Sequence, residues 1–175
     1  PPMDLDATYF RPMTFNKVNT DVIAALRACL DTGELLTDPE DAARYGHDET
    51  EDLSFPPEIV LRPRSTAEVA RIVSVCAENH ISITPIGGRT GLSGGALSIH
   101  GGIGLALDRM DVIEDIDERN LQVTVQPGVI TQVLMDAVAA KGLYYAPDPS
   151  SKGSCTIGGN IAENAGGPRA VKYGV

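Results

Sequence analysis

The stretch PIGGRTGLSGGA, residues 85–96, places five glycines in the nine positions from Gly87 to Gly95, and Arg89 is its only charged side chain. Glycine adopts positive φ without the roughly 1–2 kcal/mol that a Cβ costs there, so successive backbone N–H groups can turn inward into an anion-binding hollow. Two later segments continue the pattern, YYAPDPSS at 144–151 and TIGGNIAENAGG at 156–167, and 16 of the 18 glycines lie at or after Gly87. Glycine content alone also fits a plain surface loop. The strand-like SITPI ahead of it, the hydroxyls of Thr90 and Ser93, and the second glycine-rich run favour a cradle for the phosphates of a nucleotide.

Working outward, Glu58 opens EIVLRP, a short strand, and Ser65-Thr66-Ala67-Glu68 fits a capping box at the start of a helix. Val69, Ile72, Val73 and Cys76 form the apolar stripe of that helix, and Ser82–Ile86 returns as a strand. The β-α-β unit pairs its two strands in parallel and puts the glycine loop at a carboxyl end of the sheet, where cofactors dock. Residues 103–108, 112–116 and 120–126 read as three more strands, the last alternating Leu121, Val123 and Val125 against Gln122, Thr124 and Gln126, with a turn at Asp117–Asn120. Pro127-Gly128 closes that run, and Thr131–Lys141 is a helix stopped by Gly142. Upstream, Val22, Ile23, Leu26 and Leu30 stripe a helix over 20–32 with Thr20 as N-cap and Gly33 as its end. Residues 38–57 are acidic and turn-rich, read as a surface connector with little chemistry.

The chain has 175 residues and 42% apolar content, enough for a real core. Against 24 acidic residues stand 14 basic ones, a formal charge of −10, which argues against nucleic acid or an anionic membrane as the main partner. A dinucleotide is also anionic, but bulk repulsion is screened over about 8 Å at physiological salt while N–H groups act at contact. Cys29, Cys76 and Cys155 lack metal-like spacing and read as buried reduced thiols of a cytoplasmic protein, soluble or peripheral at a membrane. No apolar run approaches about 18 residues.

No G-x-x-x-x-G-K-[ST] is present, and no strand leads into G-x-G-x-x-G, which disfavours P-loop enzymes and Rossmann dehydrogenases. Arg89 is open to two readings, a partner for a pyrophosphate or a solvated loop arginine. His47, His80 and His100 all lie outside the glycine loops, and no catalytic dyad is legible. Pro147-Asp148-Pro149-Ser150-Ser151 sets a carboxylate and two hydroxyls on a stiff turn suited to a ribose or phosphate, or serves as a turn alone. Gly158, Gly159, Asn160, Asn164, Gly166 and Gly167 offer close backbone approach and amides that both donate and accept.

Taken together, PIGGRTGLSGGA, Pro127-Gly128, YYAPDPSS, IGGNIAENAGG and the closing KYGV resemble the FAD-linked oxidases with the vanillyl-alcohol-oxidase or PCMH-type flavin domain. Within them the likeness is to glycolate oxidase flavin subunits and to D-lactate and D-2-hydroxyglutarate dehydrogenases, and it runs from Glu58 to Val175. The fold this implies is α+β, an incomplete PCMH-type FAD-binding domain: a helical and connector segment over 1–57, one small subdomain over 58–110 and a second over 111–175.

The resemblance also assigns residues. Pro85, Gly87, Gly88, Arg89, Thr90, Gly91, Leu92 and Ser93 would wrap the FAD pyrophosphate through backbone N–H groups. Pro147, Asp148, Ser150, Gly158, Gly159 and Asn160 would follow the diphosphate, ribityl chain and isoalloxazine, with Asn164, Gly167 and Tyr173 nearby. The loop has no histidine or cysteine, so the expected FAD is non-covalent. Relatives continue into a substrate-capping region that holds the hydroxy-acid contacts, the base and any metal; no catalytic residue and no metal ligand is therefore expected within these 175 residues, which should be inactive alone. The implied reaction takes a D-2-hydroxy acid to its 2-oxo acid by hydride transfer to flavin N5, with an electron-acceptor protein or quinone downstream and no nucleic-acid partner. A non-catalytic nucleotide-binding or interaction module, and a flavoenzyme acting on enolpyruvyl sugars or ether lipids, are the alternatives.

Overall fold

The computed structural model describes residues 14–174; residues 1–13 and Val175, the last residue of the KYGV motif, lie outside them. A four-stranded sheet is built from β1 (Glu34–Leu36), β2 (Ile59–Arg62), β3 (Ile83–Ile86) and β4 (Ile103–Ala106) in the order β1-β2-β4-β3. β1 runs antiparallel to β2, while β2, β4 and β3 are parallel. The two strands of the β-α-β unit are therefore parallel but not adjacent, because β4 lies between them. Gly87 follows β3 directly, at the carboxyl end of the sheet as expected.

Period-2 alternation sends Ile59 and Leu61 to one face of the sheet and Val60 to the other, and all three are buried. The first face packs on α1 (Thr20–Ala28) through Val22 and Leu26 and on α3 (Thr66–Glu78) through Ile72 and Cys76. The second packs Val60, Ile86 and Ala106 against Ala42 of α2 (Pro39–Ala43), with Leu36 and Tyr45 alongside. Residues 38–57 are thus not merely a connector: without them this face of the sheet would be bare. β1 also escaped the sequence reading, since its three residues carry no pattern of their own.

Smaller corrections follow from individual contacts. Asn19, not Thr20, caps α1, its Oδ1 accepting from Asp21 and Val22 N–H. The helix ends at Ala28 with Cys29 as its C-cap, and Gly33 serves a tight contact instead: a Cβ there would lie 2.8 Å from the Arg62 carbonyl and 2.9 Å from Glu68 Oε2. Val73 is 43% exposed, and the buried positions of α3 are Glu68, Ile72 and Cys76. Ser65 Oγ accepts from Glu68 N–H at 3.2 Å, which is half of the capping box. Replacing Ser65 with alanine is expected to lower stability by about 1 kcal/mol, read as the shift of a urea midpoint at unchanged slope.

The other half is diverted. The Glu68 carboxylate, 1% exposed, accepts from the N–H groups of Asp31, Thr32 and Gly33 at Oε1 and of Arg64 at Oε2. It ties the loop after α1 to the start of α3.

Beyond β4, β5 (Ile113–Asp117) and β6 (Gln122–Val125) form an antiparallel pair, with the expected turn fixed by Asp117 Oδ1 accepting from Arg119 and Asn120 N–H. Leu121, placed on the apolar side by alternation, is in the turn instead, with φ 55° and 74% exposure. α4 (Thr131–Ala139) and α5 (Ile157–Ala162) bring Leu134, Val138 and Ile157 onto this pair to form a further core with Val129, and α6 (Ala170–Tyr173) follows. All three cysteines are free and buried.

Candidate functional site

The glycine loop and the α5 segment face each other. A cavity of about 260 Å³ lies between them, lined on one side by Pro85, Gly87–Gly91, Gly95 and Ala96 and on the other by Cys155, Thr156, Gly159, Asn160 and Glu163. The approach of the two walls explains the glycines better than backbone conformation does. Of the five glycines in the loop only Gly94 has positive φ, at 74°, and Arg89 itself sits at 56°. A Cβ on Gly87 would lie 2.8 Å from Thr156 Oγ1; one on Gly88 would run into the Ser154 carbonyl and stand 3.1 Å from Cys155 Cα; one on Gly95 would meet Glu163 Oε1 at 2.9 Å. Gly91 differs: it lines the cavity, and nothing lies within 4 Å of its Cβ position.

None of the backbone N–H groups from Gly87 through Ala96 donates to an acceptor among the described residues. The α5 segment is the reverse, because its first N–H groups are consumed internally. Ile157 donates to Val129 O, Gly158 to Pro127 O, and Gly159 to the N-cap Thr156 Oγ1 at 3.2 Å. Of these two walls, the amides left free among the described residues are those of the first loop, while α5 contributes shape through Gly159 and one polar side chain. That side chain is Asn160, 6% exposed, whose Nδ2 donates to Thr131 Oγ1 at 2.7 Å.

Among the remaining expected site residues, Thr90 lines the cavity, and Ser93 Oγ donates to the Glu163 carboxylate at 3.0 Å, clasping the loop to α5. The Arg89 guanidinium donates to the Arg44 carbonyl and lies over the Tyr45 ring, 5.0 Å from its centroid. Its charge is anchored to the segment after α2. Pro147 and Asn164 line a second cavity of about 260 Å³, with Tyr145 and Gly166; the two cavities share Asn160 and Ala165 as a common wall.

Asp148, Ser150, Gly158, Gly167 and Leu92 lie apart from both walls. Asp148 is held by Lys152 Nζ at 2.7 Å and Arg169 Nε at 3.2 Å, and the Lys152 hydrogen bond with the two cationic charges keeps its carboxyl below the usual carboxylate range. Gly158 packs on Pro127, and Gly167, at φ 70°, leaves room for the Asp148 carbonyl. Ser150 is exposed, and so is Leu92, at 77%. Sequence reasoning missed Asp48, which lines the first cavity from the stretch read as a connector.

An open trough beside a glycine loop with unspent N–H donors, at the carboxyl end of a parallel sheet, defines a binding domain for a diphosphate-bearing cofactor. The chain belongs to the FAD binding domain family, which matches residues 57–175. It is 49% identical over 131 residues to the glycolate oxidase subunit GlcD of Bacillus subtilis, covering 75% of this chain and 28% of that protein. It is 42% identical over 161 residues to a D-lactate dehydrogenase of Anaerostipes hadrus, covering 91% and 34%. The solved structure of an alkyldihydroxyacetonephosphate synthase superposes with a TM-score of 0.81 at 21% identity, over 91% of this chain and 35% of that one. The fold is the PCMH-type α+β arrangement, of which these residues form a part. The chain spans about a third of the length of the curated relatives it matches.

The residues present fit FAD: free N–H donors for the diphosphate, empty space at Gly91, and a second cavity continuing past Asn160 for an extended ligand. No group of three or more His, Cys, Asp or Glu side chains among the described residues is placed to hold a metal, and no helix among them is long and apolar enough to cross a membrane.

Proposed function

We propose that this chain is the FAD-holding part of a flavin-dependent oxidoreductase that converts a D-2-hydroxy acid of the glycolate, D-lactate or D-2-hydroxyglutarate type to its 2-oxo acid. The observation that carries the reading is the run of N–H groups over 87–96 that have no partner among the described residues, beside an open cavity. When bound, FAD supplies the hydride acceptor, at N5. The chain's own residues bind and orient: Gly87–Gly91 present N–H groups to the diphosphate, Gly88 lets the loop close onto residues 154–155, and Asn160, fixed by Thr131, forms the wall between the two cavities. Retention at micromolar concentration requires about 8 kcal/mol, within reach of several charge-assisted N–H···O contacts acting together. With no histidine or cysteine over 85–96, the cofactor is held without a covalent bond there. The division into units at 58–110 and 111–175, with β5 and β6 opening the second, belongs to the same reading, as do the hydroxy-acid substrate and a protein or quinone electron acceptor.

Flavin absorbance tests it. The whole polypeptide, purified and loaded with FAD, should bleach without oxygen on addition of one of glycolate, D-lactate or D-2-hydroxyglutarate. Failure to take up FAD overturns the reading; a bound flavin that none of the three reduces overturns the substrate class alone.

A further inference from the structure

Two carboxylates border the first cavity, Asp48 and Glu163. Glu163 has a donor in Ser93. Asp48 is satisfied on one side only: Oδ1 accepts from Thr50 N–H at 2.9 Å, while Oδ2 is shielded from solvent and has no hydrogen-bond partner among the described residues. Thr50 Oγ1, two residues on, is likewise buried and has no partner among the described residues. Such an acceptor is destabilising unless something supplies a donor. The fold also fixes its position. Glu49 N–H donates to the Gly91 carbonyl at 3.1 Å, and Phe55 N–H donates to the Gly46 carbonyl at 2.7 Å, so the turn carrying Asp48 is hydrogen-bonded to the glycine loop and closed on itself.

An acceptor-only group beside amides that await a diphosphate cannot contact the phosphate oxygens favourably. With its carboxylate turned toward the cavity that Asp48 borders, it can accept from a hydroxyl on the sugar next to them, in a charge-assisted O–H···O⁻ bond. We propose that Asp48 is a nucleotide-contacting residue that recognises a sugar hydroxyl adjoining the diphosphate, and that its charge disfavours bare inorganic anions in the same cavity. The proposal rests on the flavin-binding reading and adds to it a residue from outside the span that the family match covers.

The test titrates the whole apoprotein with FAD, followed by flavin fluorescence, and with inorganic pyrophosphate as a competitor. Asp48→Ala is expected to weaken FAD about 10-fold or more while pyrophosphate binds as well as before or better. Asp48→Asn, which keeps the size and one acceptor, should give a smaller loss with the same opposite trend. ADP and FMN as separate ligands tell which sugar is involved, because the loss follows the one that carries the contacted hydroxyl. Parallel weakening of FAD and pyrophosphate would show that Asp48 only shapes the loop, and unchanged or tighter FAD would show that it makes no contact; either overturns the proposal. Wild-type protein that binds no FAD at all removes the functional reading instead.

Discussion

Glu68→Ala is expected to lower the stability of the chain by about 4 kcal/mol, a fall of roughly 8–16 °C in melting temperature for a protein of this size. The substitution does not touch the cavity. It leaves the N–H groups of Asp31, Thr32, Gly33 and Arg64 without their acceptor at a position only 1% exposed, and hydrogen bonds to a charged group contribute about 1.5–3 kcal/mol each, with losses that do not simply add. Burial alone would raise the Glu68 carboxyl, but the N–H donors of Thr32, Arg64, Asp31 and Gly33 together outweigh it and hold the group below its ordinary value. A carboxyl lowered by folding contributes stability that is fully present above its unfolded value, about 4.3, and disappears as pH falls through the lower folded value. The gap between wild type and variant should therefore be constant above about pH 5 and close as acid is added below about pH 4. Thermal melts of both proteins across that range check it; a difference under about 1 kcal/mol at neutral pH would contradict the clamp.

Gly91→Val and Gly88→Ala should separate binding from folding. Valine at Gly91 meets no protein atom within 4 Å of its Cβ, and Gly91 is outside the left-handed region, so the melting temperature should move by no more than a degree or two. Gly91 lines the cavity, and on the proposed reading the added isopropyl group crowds the bound cofactor, so FAD affinity should fall 100-fold or more. Alanine at Gly88 does the opposite kind of damage: its methyl collides with the Ser154 carbonyl, the two walls must part, and stability and FAD binding are lost together. Fluorescence titration beside circular dichroism melts measures both. Full FAD retention in Gly91→Val would mean that the ligand lies elsewhere.

The parts of this fold legible in the sequence are those whose cause is local. IVLR and IGLA are apolar runs long enough to be buried strands, Ser65 lies one residue ahead of its helix, and the Asp117 turn is closed by its own side chain. What was not legible depends on partners far along the chain. β1 exists because β2 offers it a ladder, and Glu68 turns from its expected cap because donors some 35 residues upstream reach it. The glycine loop, expected from sequence to be an anion cradle, does line a cavity, yet the reason for most of its glycines was not legible, since it lies in residues 154–163 pressing against them rather than in φ. Asp48 shows the same limit: an acidic turn in sequence becomes a cavity wall only when Glu49 docks on Gly91.

The placement of β3 at the margin of the four-stranded sheet bears on how such a protein avoids joining its neighbours. Ser82 and Ile86 carbonyls accept from Ile103 and Leu107, so the even-numbered residues of this segment pair with β4, and Ile83 and Pro85 point their backbones outward. Proline brings no N–H to that outer rim, and a foreign strand sliding alongside would find Ile83 as the lone donor there. The residue that leads into the cofactor loop thus also discourages intermolecular strand addition, the first step toward aggregation.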